Sequence, residues 1–400
     1  MRTNLLSGVR VLAVEQYGAA PFGTQLLGHL GAEIIKIEQP GDGDVSRSVG
    51  PLFREDLPRT ARSVFFQGLN SGKKSLTLNL AHEEGGKILA ELAADADAVV
   101  SNLRGDVPDR LGLTFAALGE ANPRIVCGHL TGYGRTGERA ARPGYDYLMQ
   151  AELGYFDLTG EPGGPPSRMG ISMIDLTGGV MLALATVSAI LRARDTGRGG
   201  DVDVSLFDVA LFSLNYPAHW YLNGGLRTSR LPRSAHPSLT PCQSYRTADG
   251  WIYLMCNKEK FWPALCERIG RPEWADDRRF STFADRLTSR DELTVLLDRE
   301  LSARTTAEWL AVFGDAVPAA PILTLPQAMD SHIVADGDRI EQVDVGQGSA
   351  LRLLAGPIRT DGPSRRPTRA PALGEQTDEL LTALGRTTAE IGALRALGVI

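Results

Sequence analysis

Between residues 9 and 130 the chain alternates short, nearly unbroken apolar runs with segments of helical spacing, and this alternation restricts the fold more than any other feature. The runs are VRVLAVE at 9–15, AEIIKIE at 32–38, SLTLNL at 75–80, AVVSNL at 98–103 and RIVCGHL at 124–130, with helical candidates at 21–30, 83–93 and 114–120. A strand that is apolar on successive residues has both faces covered, and a strand followed by a helix returns to the sheet in parallel. The class is therefore α/β, with an open Rossmann-like parallel sheet in a large domain.

After residue 200 the pattern changes. TGRGGDVDVSLFDVAL gives a short strand and a helix, and NGGLRTSRLPRSAHPSLTPCQSY is polar and punctuated by Gly and Pro. SYRTADGWIYLMC reads as two strands turning at Asp249-Gly250, followed by helical FWPALCERIG and ELTVLLDRELSART. The chain is extended and proline-rich again at 318–326, and GEQTDELLTALGRTTAEIGALRALGVI reads as two terminal helices. These shifts divide the 400 residues into a large α/β domain at 1–200, a linker at 201–235, a small α+β domain at 236–315, a linker at 316–345 and a C-terminal segment at 346–400.

The hydrophobic and charged fractions, 43% and 22%, are those of a soluble globular protein. A formal net charge of −6 supplies no general basic field for nucleic acid or an anionic membrane, so any phosphate site must be built locally. MRTNLLSGVRVLAVEQ lacks the apolar core and small-residue cleavage site of a secretory signal. The longest uncharged apolar run, 180–191, falls short of the ~18 to 20 residues that span a bilayer. Four scattered cysteines, Cys127, Cys242, Cys256 and Cys266, fit a reducing compartment, so a cytoplasmic protein is expected.

Several motifs come close without matching. Gly132-Tyr133-Gly134-Arg135-Thr136-Gly137 has the G-x-G-x-x-G spacing, but it follows the fifth candidate strand and runs into ERAARPGYD rather than a helix, so it reads as a glycine loop or a plain turn. Asn70-Ser71-Gly72-Lys73-Lys74-Ser75 lacks the first P-loop glycine, where Gln67 stands. The six histidines show no metal-ligand spacing, and no metal is expected. There is no G-x-S-x-G elbow, and Cys127 sits in an apolar strand as an inert thiol.

One carboxylate stands apart. Asp175 closes the apolar run 169–174 and precedes Leu176, Thr177, Gly178-Gly179 and the charge-free helical run VMLALATVSAIL at 180–191. That placement suggests a strand-to-helix junction, where the partial positive charge of the helix start favours an ionised carboxylate. Two readings are even on these residues: Asp175 or Thr177 caps the helix, or Asp175 is a nucleophile.

The chain as a whole resembles the family III CoA-transferases, the group of formyl-CoA and carnitine CoA-transferases and the α-methylacyl-CoA racemases. The blocks that carry the resemblance are LSGVRVLAVEQYGAAPFGTQLLGHLGAEIIKIEQPGDGDVSR, LNSGKKSLTLNL, ADAVVSNLRGDVPDRLGL, TGYGRTG, RPGYDYLMQAELG, ISMIDLTGG, HPSLTPCQSYRTADGWIYL, PALGEQTDELLTALG and ALRALGVI. The resemblance implies that the large domain binds CoA, that the C-terminal segment returns to it, and that two chains interlock as a homodimer.

It further implies that Asp175, in MIDLTGG, is the nucleophile and passes through aspartyl anhydride and aspartyl-CoA thioester intermediates. By motif position Gly18, Ala19, Gln39, Asn70, Lys73, Asn102, Leu103, Arg104, Arg110, Tyr145 and Asp146 would touch CoA, a substrate rather than a resident cofactor. Gln39 departs from relatives that carry arginine there, which leaves Lys73 or Arg110 to meet the phosphates. Glycine N–H groups at 178–179 or in the 132–137 loop would stabilise oxyanions. The blocks look most like members acting on dicarboxylic acids, with succinyl-CoA as donor, and Arg47, Arg135 and Arg168 are candidates for a distal carboxylate.

Two alternatives stand beside a transferase. A 2-methylacyl-CoA racemase or epimerase would carry histidine in a G-H-D block that here reads Gly144-Tyr145-Asp146, and tyrosine, ordinarily titrating near ~10, is a poor base at neutral pH. A non-catalytic α/β binding protein would use Asp175 only as a cap.

Overall fold

The computed structural model describes residues 4–50, 62–335, 338–346, 349–360 and 368–400. Expectations for 1–3, 51–61, 336–337, 347–348 and 361–367, parts of the N-terminus, the large domain, the second linker and the C-terminal segment, lie outside the described residues.

Six strands form one parallel sheet: β1 (Arg10–Val14), β2 (Glu33–Glu38), β3 (Lys74–Thr77), β4 (Ala98–Ser101), β5 (Val126–Thr131) and β6 (Gly200–Ser205), in the order β3-β2-β1-β4-β5-β6. β4 and β5 are buried along their whole length, as apolar runs covered on both faces require. β1 is flanked by β2 and β4, so the loops after β1 and β4 diverge to opposite sides and open a crevice at their carboxyl ends. The helices Ala19–His29 and Glu83–Ala94 lie within two residues of their expected bounds.

The chain divides into two compact units. The first holds the described parts of 1–153 and 336–400 together with 170–215; the second holds 154–169 and 216–335. Residues 201–215 are therefore not linker. They supply β6, whose backbone completes the sheet beside β5, and the helix Leu206–Ser213. Residues 154–169 belong to the second unit rather than to the large domain. In the first unit the C-terminal segment covers the sheet edge: Gln376 Oε1 accepts from Ser75 N at 2.8 Å, Thr377 Oγ1 from Thr77 N at 3.0 Å and Val399 O from Asn79 N at 2.7 Å. Those bonds satisfy backbone donors that an edge strand would otherwise expose.

In the second unit β7 (Cys242–Arg246) and β8 (Trp251–Met255) form the expected hairpin, and β9 (Ala319–Pro321) adds to β8. Part of the expected second linker is thus sheet. The core behind it holds Trp262, Phe280, Leu297, Trp309 and Phe313, with Trp309 Nε1 donating to Leu301 O at 2.7 Å.

Beneath the crevice lies a cluster of buried charge. Lys36 Nζ meets Asp44 at 2.8 Å and Glu15 O at 3.0 Å, Lys73 Nζ meets Glu15 Oε1 at 2.7 Å, and Arg47 meets Glu38 Oε1 at 2.6 Å. Three cations balance three carboxylates, and all six are buried, so each charge depends on its partner rather than on water. Burial pushes the Lys73 amine down to about 8, whereas the surrounding carboxylates raise Lys36 despite its burial.

Candidate active site

The carboxyl ends of β1, β4 and β5 open into a cleft of about 870 Å³. Its walls come from Gln16–Ala19 after β1, Asn102–Arg104 after β4, Thr131-Gly132 after β5, the segment 143–147, and Ser172 and Asp175 at the start of a helix. Asn102 ties the first two loops together: its Oδ1 accepts from Gln16 N at 2.9 Å and its Nδ2 donates to Gln16 O at 2.7 Å.

The helix runs from Met173 to Thr196, 24 residues, so it begins seven residues before the expected run and no strand precedes it. By length and composition it could cross a membrane, with a mean hydropathy of 1.9 over its most apolar window. Here it packs on the helix Ala19–His29 and on β5. Two glycines permit that approach. A Cβ at Gly23 would lie 2.3 Å from the Gly179 carbonyl oxygen, and one at Gly179 would lie 2.3 Å from that of Ala19. Gly178 and Gly179 are therefore packing residues inside a helix, with their N–H groups turned into it, and not the oxyanion donors expected.

This contact sets the start of one helix against the start of the other. A Cβ on Gly18 would stand 3.6 Å from Asp175 Oδ2, so the Gly18 backbone borders the carboxylate directly. The N–H groups of Gly18, Ala19 and Ala20 have no hydrogen-bond partner among the described residues, as befits the uncapped first turn of a helix. Tyr17 enters that turn at φ 64°, held by its N–H on Asp44 Oδ1 at 3.0 Å and by its ring against Phe65. No local signal in the sequence marks these donors, because they are backbone groups brought into place by remote glycines.

Asp175 occupies the first turn of its helix without capping it. Asp146 Oδ2 accepts from Ile174 N at 2.6 Å and from Asp175 N at 3.0 Å, while Ser172, at the capping position, makes no side-chain bond to the helix amides. The Asp175 carboxylate itself has no hydrogen bond or ion pair among the described residues. Burial, and then the adjacent Asp146 carboxylate, push its pKa from 3.8 up to about 7. The expectation that the helix start would favour the ionised form is thus reversed: a second carboxylate has taken the helix amides and added its own repulsion. What results is a half-buried, unbonded carboxylate, more basic than usual and exposed to a cleft, which suits nucleophilic attack.

Of the other expected contacts, Gly18, Ala19, Asn102, Leu103, Arg104, Tyr145 and Asp146 line the same cleft. Four do not. Asn70 and Lys73 are buried beneath it, where Lys73 Nζ is consumed by Glu15, Pro21 O and Asn70 Oδ1. Gln39 borders a smaller cavity of about 190 Å³ together with Glu15, Glu38 and Leu103. Arg110 lies outside, 3.6 Å from Asp106. Arg104 is accordingly the cation on the cleft wall among the described residues.

Of the three arginines assigned to a distal carboxylate, the two in the first unit, Arg47 and Arg135, do not line the cleft. Arg47 is buried on Glu38 and over the Phe66 ring, and Arg135 faces Asp109, Asp201 and Asp203. Arg168, in the second unit, donates to Met169 O. The glycine loop contributes Gly132, whose backbone packs on Gly144: a Cβ there would lie 2.7 Å from Gly144 Cα.

The family model for CoA-transferase family III matches residues 6–377. The chain is 35% identical over 374 residues to the acetyl-CoA:oxalate CoA-transferase of Acetobacter aceti, across 92% of this chain and 93% of that protein. It is 32% identical over 407 residues to the succinyl-CoA:glutarate CoA-transferase of Homo sapiens, across 99% and 90%. In three dimensions it is similar to a CAIB/BAIF family protein from Brucella suis, with a TM-score of 0.81 at 32% identity, over 96% of this chain and 100% of that one.

Proposed function

The chain belongs to CoA-transferase family III, and from that premise we propose that it moves CoA from succinyl-CoA to a free dicarboxylic acid, with Asp175 as the covalent nucleophile. The observation that carries this reading is the unbonded Asp175 carboxylate, raised to about 7 and facing the cleft. The relatives support the substrate class, since their names pair CoA with oxalate, glutarate and mesaconate.

The ionised Asp175 attacks the donor thioester carbon, and CoA thiolate leaves to give an aspartyl-acyl anhydride. The thiolate then attacks the aspartyl carbonyl, releasing the donor acid and leaving an aspartyl-CoA thioester. The acceptor carboxylate displaces the thiolate to form a second anhydride, and the thiolate attacks its acyl carbon, freeing the new acyl-CoA and Asp175. Each step exchanges one acyl bond for another, so the thioester's free energy is conserved without ATP. The N–H groups of Gly18 and Ala19 are our candidates for the oxyanion site, because they are unpaired, both residues line the cleft and Gly18 borders Asp175. Arg104 is the candidate for a CoA phosphate.

Succinyl-CoA offered with a panel of free acids, followed by mass spectrometry, is expected to yield new thioesters at least about tenfold faster with dicarboxylates than with monocarboxylates of equal length. The reverse order refutes the substrate class. Hydroxylamine added to enzyme and donor alone should leave a hydroxamate on Asp175, and an unmodified Asp175 refutes the covalent route.

We further propose an interlocked homodimer. Val180, Leu184 and Leu191 form an apolar stripe on the long helix and are 45%, 67% and 64% exposed, which a second copy would cover. Light scattering should give twice the chain mass of 43.0 kDa, and a monomer at micromolar concentration would refute it.

A further inference from the structure

Asp146 is 3% exposed and lies at the start of the short helix Asp146–Glu152, yet one of its carboxylate oxygens bonds outside that helix. One oxygen, Oδ2, takes the N–H groups of both Ile174 and Asp175, and the other takes Gln150 Nε2 at 2.5 Å. Gln150 is itself fully buried, so the Asp146 carboxylate is held in one orientation from behind. The amide it grips belongs to the same residue whose carboxylate points into the cleft.

We infer that Asp146 is a positioning residue for Asp175: it occupies the helix amides that Asp175 would otherwise cap, and so keeps the Asp175 carboxylate turned outward and free of hydrogen bonds. This rests on Asp175 being the nucleophile. An aspartate in the first turn of a helix ordinarily folds back on the unpaired N–H groups beside it, which would stabilise the ion and blunt its nucleophilicity. With Asp146 in place those donors are spent. The titratable and charged groups that line the cleft with Asp175 are Tyr17, Arg104, Asp146, Tyr145 and Tyr147, and among them Asp146 supplies the charge that acts on it, raising its pKa in addition to burial.

The test uses Asp146→Asn and Asp146→Ala in the full chain. Asparagine keeps a carbonyl oxygen to accept from Ile174 and Asp175 but removes the charge, whereas alanine frees both amides. With ¹³Cγ-labelled aspartate and the Asp175 resonance assigned by its loss in Asp175→Ala, wild-type Asp175 should titrate near 7. In Asp146→Asn the midpoint should fall by about one unit or more, and in Asp146→Ala further still.

CoA transfer from succinyl-CoA should keep at least about a tenth of wild-type kcat in Asp146→Asn, with its acid limb moved to lower pH in step with that midpoint. In Asp146→Ala kcat should fall about 100-fold, with KM for the thioester within about threefold. An Asp175 midpoint unchanged in Asp146→Asn, or equal kcat losses in the two variants, overturns the inference. Transfer that survives in Asp175→Ala overturns the nucleophile assignment instead, a result read without either Asp146 variant.

Discussion

Asp175→Asn is expected to abolish CoA transfer while making the protein more stable at pH 8. The amide has the shape of the carboxylate but cannot form the anhydride, so turnover should fall by on the order of 10³-fold or more, with CoA thioester binding retained. The stability gain follows from linkage. Asp175 titrates from 3.8 when free and near 7 when folded, so between these values the folded state holds a proton that the unfolded chain has lost. Stability contributed by this group is complete below 3.8 and is lost as pH rises through 7. Above that pH the fold carries an ionised, partly desolvated carboxylate at an upper-bound cost of about 4 kcal/mol, reduced by solvent screening to about 1–2 kcal/mol. Urea midpoints for the two proteins should therefore differ at pH 8 and converge as the pH is lowered toward 4. A variant that is less stable than wild type at pH 8 contradicts the raised pKa, and one that still transfers CoA contradicts the mechanism.

Lys36→Met should lower the stability of the first unit by about 3–5 kcal/mol, the largest loss expected of any single substitution in the buried charge cluster. Methionine replaces the aliphatic stem, but the ammonium between Asp44 and Glu15 disappears, leaving two cations against three buried carboxylates. Asp44 is the residue left most exposed to that loss, since Lys36 at 2.8 Å is its only ion-pair partner among the described residues. The damage should reach the cleft, because Asp44 Oδ1 also holds the Tyr17 and Ser46 N–H groups that shape the turn before Gly18. Lys36 titrates above its ordinary 10.5 in the fold, so its contribution is fully present below 10.5 and is lost only as the pH rises through the folded value. The deficit in urea unfolding should accordingly be constant from about pH 6 to 9. A loss below about 1 kcal/mol, the range of a surface pair, would show that the cluster does not hold the fold.

Much of the sheet is legible in the order of residues alone. A run such as AVVS, apolar on successive residues and buried on both faces, is read from its pattern alone, and EIIKIE is read the same way although its Lys36 and Glu38 are buried by ion pairing. The helix bounds near Ala19 and Glu83 are equally readable. The second half is harder, because Gly200–Ser205 alternates charged and apolar residues and completes a sheet whose other strands end at Thr131. Likewise Ala319–Pro321 looks like linker by composition, although backbone pairing with β8 makes it a strand.

The same division holds at the site. Motif order picks out Asp175, and it also picks out Gly18, Asn102, Arg104 and Tyr145, which lie scattered along the chain yet line one cleft. It misplaces Lys73 and Arg47, since a cation on a surface loop and one sealed against Glu15 or Glu38 have the same letter in the sequence. By itself the sequence determines the α/β class and the family and singles out Asp175, because these depend on periodicity and on residue identity. Only the tertiary structure decides the state of that carboxylate. The raised pKa comes first from burial and then from the charge of Asp146, a buried neighbour 29 positions away that claims the helix amides, and burial and pairings at such separations are set by packing rather than by any local pattern.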